Sequence, residues 1–507
     1  MVWILAAILL PLLGGLRLLL RPSVSDRDRV LWTAGTACAA SAIVWIIILT
    51  IGRRGYHHTL LQFPSGFSIV FGTDGMACVF AGMLAVMWPL ALMYAFSYMR
   101  EDARKDRFFA FYLGTYGITL GVAFAGNLLT LYVFYEMLTL ITIPLVAHYG
   151  NHESLYAARK YAAYTIGGAS LVFLAMILVT IYGTRDGFVW GGTIRPGVSS
   201  RLLQIAYLLG FFGFGVKAAV FPLHDWLPEA SVAPTPVTAL LHAVAVVNSG
   251  VFAVTRLTWY VFGTEVLEGT SLQTGLLAVI CFSMIFAAIS ALREKHLKRR
   301  LAYSTMSNLA YMLMGILMLN QTGFMAGMAH MIFHGVIKMS LFLCAGAFMH
   351  QTGRAYIYEV NGVGRRMPAT FICFLLGALS LAGIPLFCGF ISKWSLFTAA
   401  AERGGIPGIA GIVSLLAAAF LCAMYTLTVA VRAFFPVRGS SPYIQDEMSS
   451  SSLLRREQNP EAGIREVREA DAGMLVPIIF FTVLNILFGL YPAPVLEMLQ
   501  KISEGLW

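Results

Sequence analysis

Charged side chains are scarce in this sequence: Asp, Glu, Lys and Arg make up 12% of 507 residues, against about 25% in an ordinary soluble domain. That scarcity excludes a water-soluble globular chain of this length. The seven cysteines (38, 78, 281, 344, 373, 388 and 422) lie singly along apolar segments, and no two form a Cys-x-x-Cys pair. Iron–sulfur and zinc sites built on such pairs are therefore not indicated, and the thiols read as small packing residues. No basic region precedes the first apolar run; Arg17 and Arg21 follow it. Residues 1–20 thus read as a retained first helix with its N-terminus outside, not as a cleaved secretory signal. Long polar loops are missing too, apart from 436–475, which holds no His or Cys. A polytopic enzyme acting at the membrane surface would need such loops for its catalytic groups. No flavin, nucleotide or cluster pattern is present, so the chain is expected to carry no cofactor, no metal and no catalytic site of its own.

What fills the sequence is apolar. Hydrophobic residues make up 58% and the mean hydropathy is +0.76. A spanning helix needs roughly 20 apolar residues. The expected fold is an all-α integral membrane protein of about fourteen transmembrane helices, at 2–20, 29–51, 71–99, 107–125, 127–148, 161–182, 202–222, 234–260, 271–292, 300–319, 324–350, 370–400, 407–435 and 473–491. The 48 glycines suit close helix packing in lipid.

The formal charge of +10 does not point to nucleic acid, because the basic residues sit in short clusters between apolar spans. The odd-numbered loops hold seventeen of them: Arg21, Arg27 and Arg29; Arg100, Arg104, Lys105 and Arg107; Arg159 and Lys160; Arg293, Lys295, Lys298, Arg299 and Arg300; Arg354, Arg365 and Arg366. The even-numbered loops hold six: Arg53, Arg54, Arg185, Arg195, Arg201 and Arg403. Positive residues favour the cytoplasm, which puts the odd loops inside and both termini outside. The polar stretch 436–475 then falls in the cytoplasm, as a flexible loop or as a docking surface for a soluble partner.

Ionisable residues within the spans carry the chemistry, since they are costly in lipid and by default mark a transport path. Glu136 stands without another charge in LLTLYVFYEMLTLITIPL. Lys217 lies far from either end of its segment, and Pro222 and Pro228 follow it. Proline breaks a helix, and broken intramembrane helices free carbonyls that can hold cations or water. His242 follows in the next span. His330, His334 and Lys338 recur at i, i+4 and i+8, on one helix face, where they could hand protons along through water. Lys393 again adjoins an interrupted run, with Gly383, Pro385 and Gly389. Two Pro-interrupted segments with a buried Lys, in corresponding halves, suggest an inverted repeat of helices 4–8 and 9–13.

Five motifs carry a resemblance: YEMLTL around Glu136, KAAVFPLHDWLPEASVAPTPVTALLHA from Lys217 to His242, LKRRLAYSTMSNLAYM at 297–312, HMIFHGVIKMSLFLCAGA at 330–347 and AGIPLFCGFISKW at 382–394. Together they resemble the antiporter-like membrane subunits: the large subunits of Mrp sodium/proton antiporters, the proton-pumping subunits of complex I, and their relatives in membrane-bound hydrogenases. The resemblance covers roughly 107–435 and implies two inverted five-helix repeats, 107–260 and 271–435, with the seventh and twelfth helices broken. Three helices in 1–106 precede them, and the loop 436–475 and a last helix with the C-terminus (476–507) follow. It implies that Glu136 and Lys217 form a pair whose attraction switches the proton affinity of the Lys. His242, His330, His334 and Lys338 would form the connecting relay, and Lys393 the terminal group. Position 248 is Asn, where several relatives carry Lys, so the relay near His242 would rest on water and the His.

The chain also ends soon after helix fourteen, without the long lateral helix of the most distal complex I subunit, which counts against that identity. The wording is nearest to Mrp and energy-converting hydrogenase subunits. The expected role is movement of protons, or of sodium and protons, within a multi-subunit complex of a prokaryotic inner membrane. Its partners would be the lipid bilayer, further membrane subunits and, in a redox-driven complex, peripheral redox subunits. The alternative is a complex I proton-pumping subunit; the rivals of another class are a polytopic membrane enzyme and a passive membrane anchor, and the anchor would not need Glu136 or Lys217 buried.

Overall fold

The computed structural model describes residues 1–52, 55–63, 67–183, 187–195, 199–436 and 467–506. Helices dominate: α1 (Val2–Leu20), α2 (Asp26–Thr50), α3 (Gly75–Tyr98), α4 (Lys105–Ala123), α5 (Leu128–Val146), α6 (His152–Tyr182), α7 (Ser200–Gly215) and a short α8 (Trp226–Glu229). They continue as α9 (Thr235–Ala243), α10 (Val246–Thr255), α11 (Ser271–Arg293), α12 (Leu297–Leu317), α13 (Gln321–Thr352), α14 (Pro368–Ala382), α15 (Cys388–Arg403), α16 (Gly405–Phe434), α17 (Ala472–Leu490) and α18 (Ala493–Ser503). Several start with a capping side chain. Asp74 accepts from Ala77 N at 2.8 Å, Asn127 from Thr130 N at 2.9 Å, Asn151 from Ser154 N at 2.9 Å and Asn320 from Gly323 N at 2.8 Å. Such caps satisfy amide groups that a helix start leaves open, which matters more where lipid offers no alternative.

Among the described residues, ten helical segments are long and apolar enough to cross a membrane, and the chain is an integral membrane protein. The others on the expected path are charged at one end, as in α4 and α12, or short and interrupted, as in α7 and the α14–α15 pair. The outer helices turn Leu13, Phe173, Phe420 and Val483 outward, all strongly exposed. By contrast, the spanning parts of α13 and of 235–262 are wholly enclosed by other helices, so the core is built around the two segments that carry His242, His330, His334 and Lys338.

Hydrogen bonds and ion pairs sort the connections to two ends of the bundle. At one end Gly72 N donates to Phe124 O (2.9 Å), Thr193 N to Val261 O (2.8 Å) and the N-terminal amine to Tyr56 Oη (3.3 Å), and Arg403 pairs with Glu268 (2.8 Å). At the other, Lys105 pairs with Asp26 (3.1 Å), Lys160 with Asp225 (2.6 Å) and Arg299 with Glu229 (3.1 Å). The connections named at the first end are ones the charge reading counts as even-numbered, and those named at the second are ones it counts as odd-numbered.

Three local features depart from the expected all-helical picture. Two strands, β1 (Tyr56–Gln62) and β2 (Ser68–Thr73), pair antiparallel in register Tyr56↔Thr73 with a bulge at Thr59/Leu61. The pair is docked by Val70 N on Thr130 Oγ1 (2.8 Å) and Asn127 Nδ2 on Ser68 O (2.8 Å), so α3 begins at 75, not 71. The eighth span is itself interrupted at 244–245 and ends as a π-helix, Arg256–Phe262. Finally, α18 follows the last span as an amphipathic helix that buries Val495, Leu499 and Ile502. Most of the 436–475 stretch (437–466), with Arg53, Arg54 and Arg185, lies outside the described residues.

Candidate functional site

The break after α7 sets the position of Lys217. The helix ends at Gly215, Ala219 takes φ 52°, the Phe221–Pro222 bond is cis, and regular helix returns only at Trp226. Trp226 Nε1 donates to Val216 O across the gap (2.9 Å), satisfying one carbonyl that the break frees. Pro222 therefore lies in the interruption, whereas Pro228 lies inside the short α8 that follows it. Lys217 is fully buried. Its Nζ donates to Tyr135 O and sits 3.4 Å from the centroid of the same tyrosine's ring. Tyr135 Oη in turn donates to Phe214 O (2.8 Å). One residue of α5 thus holds the lysine by a carbonyl dipole and a ring face, and holds the end of α7 as well.

Glu136 is the next residue along, but it is half-buried, with its Oε1 buried and unbonded. The sequence reading pairs it directly with Lys217. The two groups feel each other's charge, yet among the described residues no ion pair within 4 Å joins them. Tyr135 stands at the lysine instead, because adjacent residues on a helix point about 100° apart.

The second cluster is larger. On α13, His330, His334 and Lys338 are all buried. Lys338 Nζ donates to Leu301 O (2.9 Å) and to Ser304 Oγ on α12. Both ring nitrogens of His334 are buried without a partner, and its ring centroid lies 6.2 Å from that of His330. His330 Nδ1 is 2.8 Å from Ser392 Oγ, and its Nε2 is 3.1 Å from Asn308 Oδ1. An amide oxygen can only accept, so Nε2 carries the proton and Nδ1 accepts from the serine.

Ser392 precedes Lys393, which is 6% exposed and whose Nζ donates to Leu381 O (2.6 Å) and Ala382 O (3.3 Å). Those carbonyls end α14, where Gly383 turns left-handed at φ 94° and 383–387, with Pro385, interrupts the helix. The negative end of a helix thereby faces an ammonium group. Tyr311 packs against both the His330 ring (5.5 Å) and Lys393 Nζ (5.2 Å).

His242 joins this cluster through a ring. It stacks on Phe342 at 5.0 Å, and Lys338 Nζ lies 5.9 Å from the same ring. Its Nδ1 has no partner, and Ser231 Oγ is 3.4 Å from Nε2. Asn248 Nδ2 donates to Ala243 O (2.8 Å), so it caps the interruption of the eighth span; its Oδ1 is buried and unbonded. The expected residues thus fall in or beside the core, but in two groups. Glu136 and Lys217 form one, and His242 to Lys393 the other. Between them stands α10, whose Gly250 leaves so little room that an added Cβ would lie 2.8 Å from Lys217 C.

Three residues escape the sequence reading. Lys298 is 4% exposed, and its Nζ donates to Ala233 O at 2.8 Å; its field reaches His242. The sequence places it among loop charges, beside Arg299, which does reach the surface. Arg256 of the π-helix is 1% exposed and forms a bidentate pair with Asp74, with Nη2 to Oδ1 at 2.7 Å. Rings of Phe188, Phe252 and Tyr260 surround its guanidinium. An Arg inside an apolar span was the available signal for that pair, and π-helical segments often mark functional positions.

Residues 125–431 match the transmembrane family described as NADH:quinone oxidoreductase/Mrp antiporter, TM. The chain belongs to this family. Among its relatives, a subunit of the Na(+)/H(+) antiporter of Alkalihalophilus pseudofirmus is 31% identical over 480 residues, covering 89% of this chain and 56% of that protein. NADH-quinone oxidoreductase subunit N of Desulforudis audaxviator is 29% identical, covering 94% of this chain and 92% of that protein. The chain spans about half the length of the antiporter subunits it matches. The fold is shared with a chain of the Mrp complex from Dietzia sp. DQ12-45-1b, at 19% identity and TM-score 0.85, covering 100% of this chain and 98% of that one. A chain of the membrane-bound sulfane sulfur reductase, an archaeal respiratory membrane complex, aligns at 24% identity and TM-score 0.80. Every residue of the second cluster, and Lys217 with Glu136, lies inside the segment that matches this family.

Proposed function

We propose that the chain is a proton-translocating subunit of a multi-subunit membrane complex, of the Mrp antiporter or ion-pumping hydrogenase type. One observation carries this: the buried file from Lys338 through His334 and His330 to Ser392 and Lys393, on facing helices α13 and α15. A passive anchor gains nothing from four buried titratable groups in a row, each of which is costly to keep out of water. In the proposed cycle a proton resides on Lys217 while Glu136 is charged. When the Glu136 charge is neutralised or moves, the proton leaves for His242 and crosses by water to Lys338. His334 and His330 pass it on, one ring nitrogen receiving as the other releases, and Lys393 delivers it. Moving one charge against roughly 150 mV costs about 3.5 kcal/mol. A swing of about 2–3 powers of ten in the proton affinity of Lys217 meets that, at about 1.4 kcal/mol per tenfold.

The two repeats, 107–260 and 271–435, would each supply one interrupted helix and one lysine. The end bearing the odd-numbered connections would face the cytoplasm of a prokaryotic cell, with both termini outside. Neighbouring membrane subunits would receive or supply the ion, and energy would come from ion exchange or from peripheral redox subunits. The chain itself would hold no cofactor. A second reading, a complex I proton-pumping subunit, is favoured by the near full-length match to NADH-quinone oxidoreductase subunit N. Proton translocation by Glu136→Gln and Lys217→Ala, assayed in the reconstituted complex, tests the proposal. Both are expected to lose it, and full translocation by either one refutes the assignment.

A further inference from the structure

Outside the buried file, a group of basic residues stands without an ion pair among the described residues. Arg293, Lys295, Arg300 and Arg432 surround a hollow of about 310 Å³ at the odd-numbered end of the bundle, floored by Leu292 and Val429, and among the described residues no acidic side chain lines it. Arg300 is 5% exposed, and its guanidinium meets only carbonyls: Glu294 O (2.9 Å), Tyr425 O (3.0 Å) and Leu292 O (2.8 Å). Those bonds engage each of its three nitrogens without neutralising its charge. The Glu294 carboxylate is engaged elsewhere, accepting from His296 N (2.9 Å) and facing Arg299 Nε (3.6 Å). Arg432 repels Arg300, and the nearby Glu294 charge opposes that repulsion only in part.

A second basic hollow at the same end provides a contrast. It measures about 370 Å³ and includes Arg27, Arg29, Arg100 and Lys105, but Asp26 and Asp471 line it as well. There Arg29 pairs with Asp26 and Asp106, and Lys105 with Asp26. The first hollow has no such compensation among the described residues. Its mouth adjoins apolar helix surface: Ile289 lies one turn before Arg293 on α11, and Met424 and Val431 flank Thr428 and Arg432 on α16, all exposed.

We propose that this hollow binds an anionic phospholipid. Its phosphate would be held by Arg293, Lys295 and Arg432 over the Arg300 charge, and its acyl chains would lie along Ile289, Met424 and Val431. Guanidinium groups suit phosphate oxygens, and basic pockets between membrane helices take anionic headgroups. A free phosphate would meet the same charges but gain nothing from the apolar flank. The inference is independent of the translocation reading.

Binding is tested by native mass spectrometry of the full-length chain in neutral detergent, titrated with short-chain phosphatidylglycerol, phosphatidylcholine or inorganic phosphate. Phosphatidylglycerol is expected to bind at least tenfold better than phosphatidylcholine. Each of Arg293→Gln, Lys295→Gln and Arg432→Gln should weaken it about fivefold, Arg432→Lys less than Arg432→Gln, and Arg27→Gln with Arg100→Gln not at all. Circular dichroism confirms that each variant keeps its helices, so that weaker binding is not lost fold. Four results overturn the site: equal binding of the two lipids, unchanged binding in the Arg432→Gln variant, equal weakening by the Arg27 and Arg100 changes, or displacement of the lipid by equimolar inorganic phosphate.

Discussion

Tyr135 offers a graded way to perturb Lys217 without touching either charge. The lysine is held by the backbone carbonyl and the ring face of this one residue. Tyr135→Phe keeps both and removes only the hydroxyl bond to Phe214 O, a loss of about 1 kcal/mol in stability. Tyr135→Leu keeps the carbonyl but removes the ring. A desolvated cation–π contact contributes about 2 kcal/mol, and one tenfold step in a protonation equilibrium is about 1.4 kcal/mol. The protonated form of Lys217 should therefore lose about thirtyfold of its stabilisation in the leucine variant and almost none in the phenylalanine variant. The assay is the initial rate of proton translocation by the reconstituted complex across a pH series. The leucine variant should translocate poorly near neutral pH and recover as the pH falls, while the phenylalanine variant should follow the parent protein. Equal rates for Tyr135→Leu and the parent, or equal impairment of both variants, would refute the reasoning.

Four further outcomes are expected. Asp74→Asn leaves Arg256 buried without its counterion and should cost about 3–5 kcal/mol of stability, read as a lower denaturation midpoint and recovered in part by adding Arg256→Met. Lys298→Ala should reduce translocation, whereas Arg299→Gln, which touches only the ion pairs with Glu229 and Glu294, should not. Ser392→Ala should slow translocation by removing the proton donor to His330 Nδ1, with Ser392→Thr restoring it. Outside the spans, His148 is buried beside Asp102 at 3.0 Å. Burial pulls its pKa below the usual histidine value, with Asp102 opposing. A histidine kept neutral in this way leaves stability level above about pH 6.5 and lowers it as pH falls, because the unfolded chain binds the proton first. His148→Gln should therefore lose less stability than the parent between pH 7 and pH 5, measured by thermal denaturation at both.

Much of this arrangement is legible in the sequence because lipid restricts what a chain can do. Runs of apolar residues become helices, and Pro385 and Pro222 mark real interruptions. The i, i+4, i+8 spacing of His330, His334 and Lys338 is enough by itself to place them on one helix face. Lys298 is not legible, because a lysine in the first turn of a helix reads the same whether it turns outward with Arg299 or inward to Ala233 O. Glu136 shows the converse: a lone carboxyl in a span announces itself, but not which side of the helix it occupies, and Tyr135 faces the lysine instead. The pairing of β1 with β2 is hidden because the apolar SIVFGT stands only one residue, Asp74, before α3, and a short apolar run fits strand or helix equally. The interruption at 244–245 has no proline of its own; the sequence signal there is only Asn248, whose amide caps the break.

The central claim is that protons pass through the enclosed file on α13. It is tested most directly by Lys338→Met, which keeps the length of the side chain and removes its charge, in the complex reconstituted into vesicles with a pH-sensitive dye inside. The expected result is an assembled complex that forms no proton gradient under conditions where the parent forms one. A gradient of parental size in that variant would contradict the account.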